Sequence, residues 1–293
     1  MPRTGEGWAV PEQLVANCSR TAEGRKWLSG LPTLVRALVD RWSLEVEALD
    51  GSVDATASWV APVRLPTGQP AVLKIGMPHM EAEHESDGLR YWDGDPTVYL
   101  LDADKELNAM LLEQCTPGTS LRAEPEVRQD KVIAELLRRL WVPLERSDPF
   151  RPLSSMLSAW AEETQAQRKE WPDEGLVRDG LDLFRDLGAE GSPTVLLATD
   201  LHAGNVLRAE REPWLVIDPK PFVGDPAYDA TQHLLNCPER LLADPMGTIE
   251  HFAGLLEVDP ERVRLWMLAR TAAEPRDDWA GGQRWMLTKA LTY

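Results

Sequence analysis

Apolar residues at Leu31, Leu34, Val35, Leu38 and Trp42 recur at three- and four-residue spacing, so residues 11–42 read as two helical pieces. The period then changes. Residues 44–76 alternate, carry β-branched side chains and are punctuated by Asp50-Gly51 and Thr67-Gly68, which predicts three antiparallel strands joined by two turns. Residues 80–92 return to helical spacing, with Glu81, Glu85, Leu89 and Trp92 on one face. Gly94 and Pro96 break that pattern, and a second hairpin follows with strands at 97–102 and 107–113. From Glu124 onward helices dominate, at 127–141, 152–169, 174–187, 225–237, 248–256 and 260–273, with Pro260 suited to a first helical position. The tail to Tyr293 also reads as helical, and short strands fall at 194–198, 206–208 and 214–217. Strands first and helices second predict an α+β chain of two lobes, a strand-rich one over 1–112 and a helical one over 113–293, with a hinge near 114–118.

Composition narrows the partners. With 43% hydrophobic and 27% charged residues over 293 positions, wholesale disorder is excluded. The balance of 31 basic against 48 acidic residues, net −17, repels phosphate backbones and tolerates cationic small molecules, so no nucleic-acid partner is expected. Solubility alone is the plainer reading of that charge. Cys18, Cys115 and Cys237 lie far apart with no CxxC pair, which indicates neither a disulfide framework nor a zinc knuckle and fits a reducing, cytoplasmic setting. Charges from Arg3 to Lys26 interrupt any signal-peptide core, and no apolar run approaches the ~18 residues that span a bilayer. A soluble chain without a membrane partner is expected.

The chemistry concentrates in residues 195–229. Asp200 and Asn205 form an Asp-x-x-x-x-Asn pair, and Asp218 follows at the end of an apolar strand. Mg²⁺ takes oxygen ligands and usually keeps several waters. Asn205 offers a neutral oxygen and Asp218 an anionic one, and Asp200 is then available to accept a hydrogen bond from an attacking hydroxyl. A loop aspartate is more commonly a cap or turn residue, but the shared spacing favours chemistry. Gly224-Asp225-Pro226 reads as a cap followed by a first-turn proline, so Asp225 and Asp229 are expected to be structural. His202 has no nearby Cys or second His and reads as a brace of the loop rather than a ligand. Lys220 reads equally as a phosphate contact or a surface ion pair.

These motifs, Asp200-Leu201-His202-Ala203-Gly204-Asn205, Val216-Ile217-Asp218-Pro219-Lys220 and Gly224-Asp225-Pro226-Ala227-Tyr228-Asp229, have upstream companions in Ala71-Val72-Leu73-Lys74-Ile75 and residues 83–92. Together they resemble the aminoglycoside and hydroxyurea phosphotransferase family of the protein-kinase-like fold, which includes streptomycin 6-kinases. The resemblance implies a two-lobed kinase-like fold with ATP in the cleft and its adenine against Glu113–Cys115, so that Glu113 and Cys115 are cofactor-site residues. It implies that Asp200 orients the acceptor hydroxyl, that Asn205 and Asp218 bind Mg²⁺, and that Lys74 contacts the α- and β-phosphates. The partner of Lys74 is a carboxylate on the next helix; Glu85 is the choice, with Glu81 and Glu83 open. The implied reaction is transfer of the γ-phosphoryl group to a hydroxyl of a small molecule, a streptomycin-type aminoglycoside leading, hence antibiotic resistance. Hydroxyurea or another metabolite, and a non-catalytic nucleotide-binding pseudokinase, are the rivals. Two departures stand out. Ala198-Thr199 replaces the family's usual His-Gly before the catalytic aspartate, and the expected phosphate-covering turn at 50–55 holds one glycine. Acidic runs at Glu162, Glu163, Glu170, Asp173 and Glu174, and at Glu274, Asp277 and Asp278, read as solvated faces or, by the resemblance, as lining for a cationic acceptor.

Overall fold

A computed structural model describes residues 9–47, 57–144, 148–189, 194–276, 279 and 282–292. The turn at 50–55, Asp277 and Asp278 lie outside the described residues. The chain divides into two compact units, Met1–Gly118 and Thr119–Tyr293.

The N-terminal unit opens with α1 (Glu12–Cys18) and α2 (Ala22–Trp42). Thr21 starts α2 by accepting the Gly24 N–H through its hydroxyl at 2.9 Å, and Ser43 ends it in the left-handed region at φ 51°. Strands β1 (Glu45–Val46), β2 (Ser58–Arg64), β3 (Pro70–Gly76), β4 (Leu100–Asp104) and β5 (Ala109–Glu113) form one antiparallel sheet in the order β1-β2-β3-β5-β4. The two-residue period of β3 turns Ala71, Leu73 and Ile75 to one face. They join Trp59, Ala61 and Val63 of β2 and Leu31, Val35 and Leu38 of α2 in one buried cluster. Lys74 is thereby turned to the opposite face.

Two expectations in this unit need correction. Residues 80–92 do not form one helix: Met80–Ala82 is a 3-10 turn, and α3 spans only Glu85–Trp92. Bonds from Ala82 N to His79 O and Glu83 N to Met80 O wind the turn tightly, and His84 leaves helical geometry at ψ 14°. Glu81 therefore does not share the α3 face with Leu89 and Trp92. The second hairpin also turns later than its hydrophobicity predicts, because Asp104 Oδ1 accepts the Leu107 N–H at 3.0 Å and Asn108 takes φ 49°.

The C-terminal unit is mainly helical: α4 (Glu126–Leu140), α5 (Leu153–Ala166), α6 (Glu174–Ala189), α7 (Pro226–Leu235), α8 (Pro238–Ala243), α9 (Pro245–Leu256), α10 (Pro260–Ala273) and α11 (Gly282–Leu291). Between α6 and α7, β6 (Val195–Leu197) pairs with β9 (Phe222–Gly224), enclosing the β7 (Val206–Leu207) and β8 (Leu215–Val216) ribbon. Neither β9 nor α8 has a pattern long enough to be read from hydrophobicity. Helix α7 starts as its sequence predicts: Asp225 Oδ1 accepts the Ala227 N–H at 3.0 Å, with Pro226 in first position. The same carboxylate receives Trp266 Nε1 at 2.7 Å and Arg262 Nε, which ties α7 to α10. Helices α6 and α10 approach closely at Gly180, where an added Cβ would lie 2.7 Å from the Ala272 Cβ. A strand-rich unit followed by a helical one is the α+β order that the change of period predicts. Among the described residues, no helix is long and apolar enough to cross a membrane.

Candidate active site

In the N-terminal unit, Lys74 lies between Val60 of β2 and Met110 of β5 and is 5% exposed. Its Nζ sits 2.5 Å from Oε1 of Glu85, the first residue of α3. Removing two charges from water costs several kcal/mol per ion, and the pair's attraction does no more than offset that cost. The pair is thus a way to fix an ammonium in place more than a source of stability. Glu113 ends β5 bonded twice to Tyr99: its N–H donates to Tyr99 O at 2.9 Å, and its Oε2 accepts the Tyr99 N–H at 3.0 Å. Cys115 follows as a partly buried thiol in no disulfide.

In the C-terminal unit, the stretch from β6 to β9 carries Asp200, Asn205 and Asp218. Thr199 and Asp218 both sit at positive φ, 48° and 54°. For a β-branched residue this conformation is an outlier costing of order 1–2 kcal/mol, so the surroundings must impose it. They do so through Asp229 on α7. The fully buried carboxylate accepts the Thr199 N–H on Oδ1 at 2.8 Å and the Ala198 N–H and Trp141 Nε1 on Oδ2, each at 3.0 Å. Burial pushes its pKa up to about 6, against the opposing pull of those three donors and of the Arg270 charge. Thr199 Oγ1 donates to Lys220 O at 2.6 Å, and Lys220 N donates to Ala198 O at 2.9 Å. A glycine would adopt the Thr199 conformation without strain; this chain has threonine and adds a hydroxyl bond across the loop.

Asp200 follows at once. Its Oδ1 accepts Gln232 Nε2 from α7 at 2.6 Å, and its backbone oxygen accepts Asn205 Nδ2 at 3.0 Å. That second bond turns the Asn205 Oδ1 away from Asp200. Asn205 O accepts the Ile217 N–H at 2.9 Å, continuing the β7–β8 ladder and bringing Asn205 alongside the strand end that carries Asp218. Asp218 keeps 36% of its side chain exposed, and its Oδ1 contacts Lys220 Nζ. Lys220 is buried, so its ion pair is not the surface pair considered from sequence. His202 accepts the Gly204 N–H on Nδ1 at 2.9 Å, which requires a neutral ring on that side. Burial, then the nearby Arg122 charge, holds its pKa down at about 4. His202 therefore shapes the turn before Asn205.

The acidic runs are partly engaged within the unit. Glu174 pairs with Arg168 and Arg178, Asp173 Oδ1 accepts the Leu176 N–H of α6, and Glu274 pairs with Arg270 and Arg284. Among the described residues, no three His, Cys, Asp or Glu side chains gather as a metal cluster. Trp141 reads from sequence as a core tryptophan and is partly buried here; Gln232 and Arg270 do not stand out in the sequence, and of these only Gln232 carries a usable signal, three residues after Asp229 on the same helix face.

A strand-rich unit with a buried Lys–Glu pair, followed by a helical unit with an Asp-x-x-x-x-Asn loop and a strand-end aspartate, defines the protein-kinase-like class. The model of the aminoglycoside/hydroxyurea antibiotic resistance kinase family matches residues 41–276, and the chain belongs to that family, as an ATP-dependent small-molecule phosphotransferase. It is 39% identical over 275 residues to a streptomycin 6-kinase of Streptomyces griseus, covering 89% of this chain and 88% of the relative. It is 34% identical over 277 residues to a hydroxyurea phosphotransferase of Kitasatospora aureofaciens, covering 92% and 79%. A solved choline kinase from Streptococcus pneumoniae shares the fold with a TM-score of 0.60 at 13% identity, over 89% of this chain and 99% of that one.

Proposed function

We propose that this chain transfers the γ-phosphoryl group of ATP to a hydroxyl of a streptomycin-type aminoglycoside in the cytoplasm, a resistance reaction. The observation that carries the reading is the Asp200 loop, where a carboxylate is fastened beside an amide and a second carboxylate on a strained backbone. Residues 1–112 serve as the nucleotide-binding lobe and 113–293 as the catalytic and acceptor-binding lobe. Lys74, steadied by Glu85, meets the α- and β-phosphates, and adenine lies against Glu113–Cys115. Asp200 accepts the hydrogen bond of the acceptor hydroxyl and holds its oxygen toward the phosphorus.

The donor set fits Mg²⁺. An amide oxygen and a partly exposed carboxylate are hard ligands, and two protein ligands leave the other positions to water and phosphate oxygens. Bound there, Mg²⁺ would neutralise charge on the phosphates. Asn205 and Asp218 would hold it, and Lys220 keeps Asp218 oriented.

The aminoglycoside reading draws on the streptomycin 6-kinase relative and on a net charge of −17, which attracts a polycation. The hydroxyurea phosphotransferase relative supports a second reading with the same chemistry on a small neutral acceptor. Incubation with MgATP and streptomycin, other aminoglycosides or hydroxyurea, read by product mass at low and physiological salt, separates the two. A cationic acceptor gives phosphorylated product with affinity that weakens as salt screens the attraction. Phosphorylation of hydroxyurea alone, indifferent to salt, overturns the aminoglycoside reading. ATP binding with no product from any acceptor points instead to the pseudokinase.

A further inference from the structure

Behind Asp200 lies a chain of side chains that the proposed reaction does not itself call for. Gln232 Nε2 donates to Asp200 Oδ1 at 2.6 Å, while Gln232 Oε1 accepts Arg270 Nη2 from α10 at 2.9 Å. Arg270 is 4% exposed. It also donates through Nη1 to Thr231 Oγ1 at 2.8 Å and through Nε to Glu274 Oε2 at 2.9 Å. Its guanidinium lies 5.3 Å from the Tyr228 ring centroid and 5.7 Å from that of Trp160. Glu274 is anchored in turn by Arg284 of α11 at 3.1 Å.

The donor and acceptor inventory gives this chain a direction. A guanidinium only donates, and an ionised carboxylate only accepts. An amide placed between them satisfies both in one orientation, with oxygen toward Arg270 and nitrogen toward Asp200. Arg270 cannot rotate away, because three hydrogen bonds and two rings fix its plane. The amide also keeps the guanidinium out of direct contact with Asp200, so the carboxylate is oriented without being locked into a salt bridge. On α7, Gln232 stands three residues after Asp229. One helix face thus holds the backbone at 198 and 199 through Asp229 and the Asp200 carboxylate through Gln232.

We infer that Gln232 and Arg270 are positioning residues for Asp200: Arg270 fixes the orientation of the Gln232 amide, and that amide fixes the rotamer in which Asp200 meets the acceptor hydroxyl. The inference rests on the reading of Asp200 given above and adds to it the device that aims the carboxylate.

The informative variant is Gln232→Glu. It retains an acceptor for Arg270, so the α7–α10 contact is preserved, but it sets a second carboxylate against Asp200, where the like charges repel. Measured with MgATP and streptomycin, or with hydroxyurea if the acceptor panel selects it, kcat falls by roughly 10²-fold, the scale of a misaimed reacting group, while KM for ATP is unchanged. Arg270→Lys keeps the charge and loses the planar fork, and gives a smaller loss of the same kind. In an Asp200→Asn background, Gln232→Glu brings no further loss, because the group it aims is already gone. Wild-type kcat in Gln232→Glu, or an equal fractional loss in both backgrounds, overturns the inference while leaving Asp200 in its role. An Asp200→Asn variant with undiminished turnover removes the reading and the inference together.

Discussion

Lys74 is held by the Glu85 carboxylate, eleven residues along the chain, on the helix that follows its strand. The loop bearing Asp200 is held by several groups at once: Lys220 and Asn205 nearby, and Asp229 and Gln232 on α7 thirty or more residues away, with Trp141 and Arg270 behind them. The first arrangement fixes a strand lysine against an opposite charge on the neighbouring helix. The second fixes a strained backbone with converging neutral donors around a buried carboxylate, and orients its working carboxylate through an amide. Removing either partner of the Lys74–Glu85 contact leaves the other's charge buried without it. A converging network fails in proportion to the number of donors left without an acceptor.

The largest effect is expected at the exposed end of the loop. Asp218→Asn removes the anionic metal ligand, and turnover at low Mg²⁺ should fall to background; near-normal activity there removes Asp218 from the metal site. Next comes Asp229→Ala, which strands two backbone N–H groups and an indole N–H in a buried position. At about 1–3 kcal/mol for each unsatisfied donor, the loss is a large part of a typical domain's stability. Chemical unfolding should show it, together with collapsed turnover as Thr199 relaxes from positive φ. Lys74→Met leaves Glu85 buried without this partner and should cost about 3–5 kcal/mol, whereas Lys74→Met with Glu85→Leu should recover most of that stability and none of the activity. If the double variant is no more stable than the single one, the cost of the single change does not come from leaving the Glu85 charge buried without Lys74.

The smallest effect is a dependence on pH. His202 has a folded pKa of about 4 against an ordinary 6.5, so the unfolded chain binds its proton first as pH falls. The stability this neutral ring contributes is complete above pH 6.5 and lost between there and about 4, of order 3 kcal/mol. Asp229, raised from 3.8 to about 6, acts in the opposite sense: its folded form takes up a proton first, adding stability as pH falls through the same window. His202→Asn keeps an oxygen for the Gly204 N–H and removes the titrating ring. It should lose less stability than the parent chain between about pH 6.5 and 4, as read by denaturant unfolding.

The two regions also differ in how far they can be read from sequence. The strand around Lys74 and the acidic segment after it announce themselves by period, leaving only the choice among Glu81, Glu83 and Glu85; that choice depends on where the 3-10 turn ends, which periodicity does not encode. Around Asp200 the motif spacing points to the loop but not to what holds it. Asp229 reads from sequence only as a structural residue near a cap, because its acceptors face backbone N–H groups whose direction is set by tertiary packing. Arg270 is invisible for the same reason, since a lone arginine in a helix ordinarily reads as surface. The change from strands to helices, by contrast, follows from hydrophobic period alone, and the α+β order is legible throughout.

The central claim is a division of labour, with Lys74 serving the nucleotide and Asp200 the acceptor. Calorimetric MgATP affinity and turnover, measured side by side for Asp200→Asn and Lys74→Gln, test it most directly. The account predicts that Asp200→Asn binds MgATP as the parent chain does while turnover falls roughly 10²–10⁴-fold, the scale of a lost general base. It predicts that Lys74→Gln weakens MgATP binding itself. An Asp200→Asn variant that loses nucleotide affinity yet keeps its turnover would contradict the account.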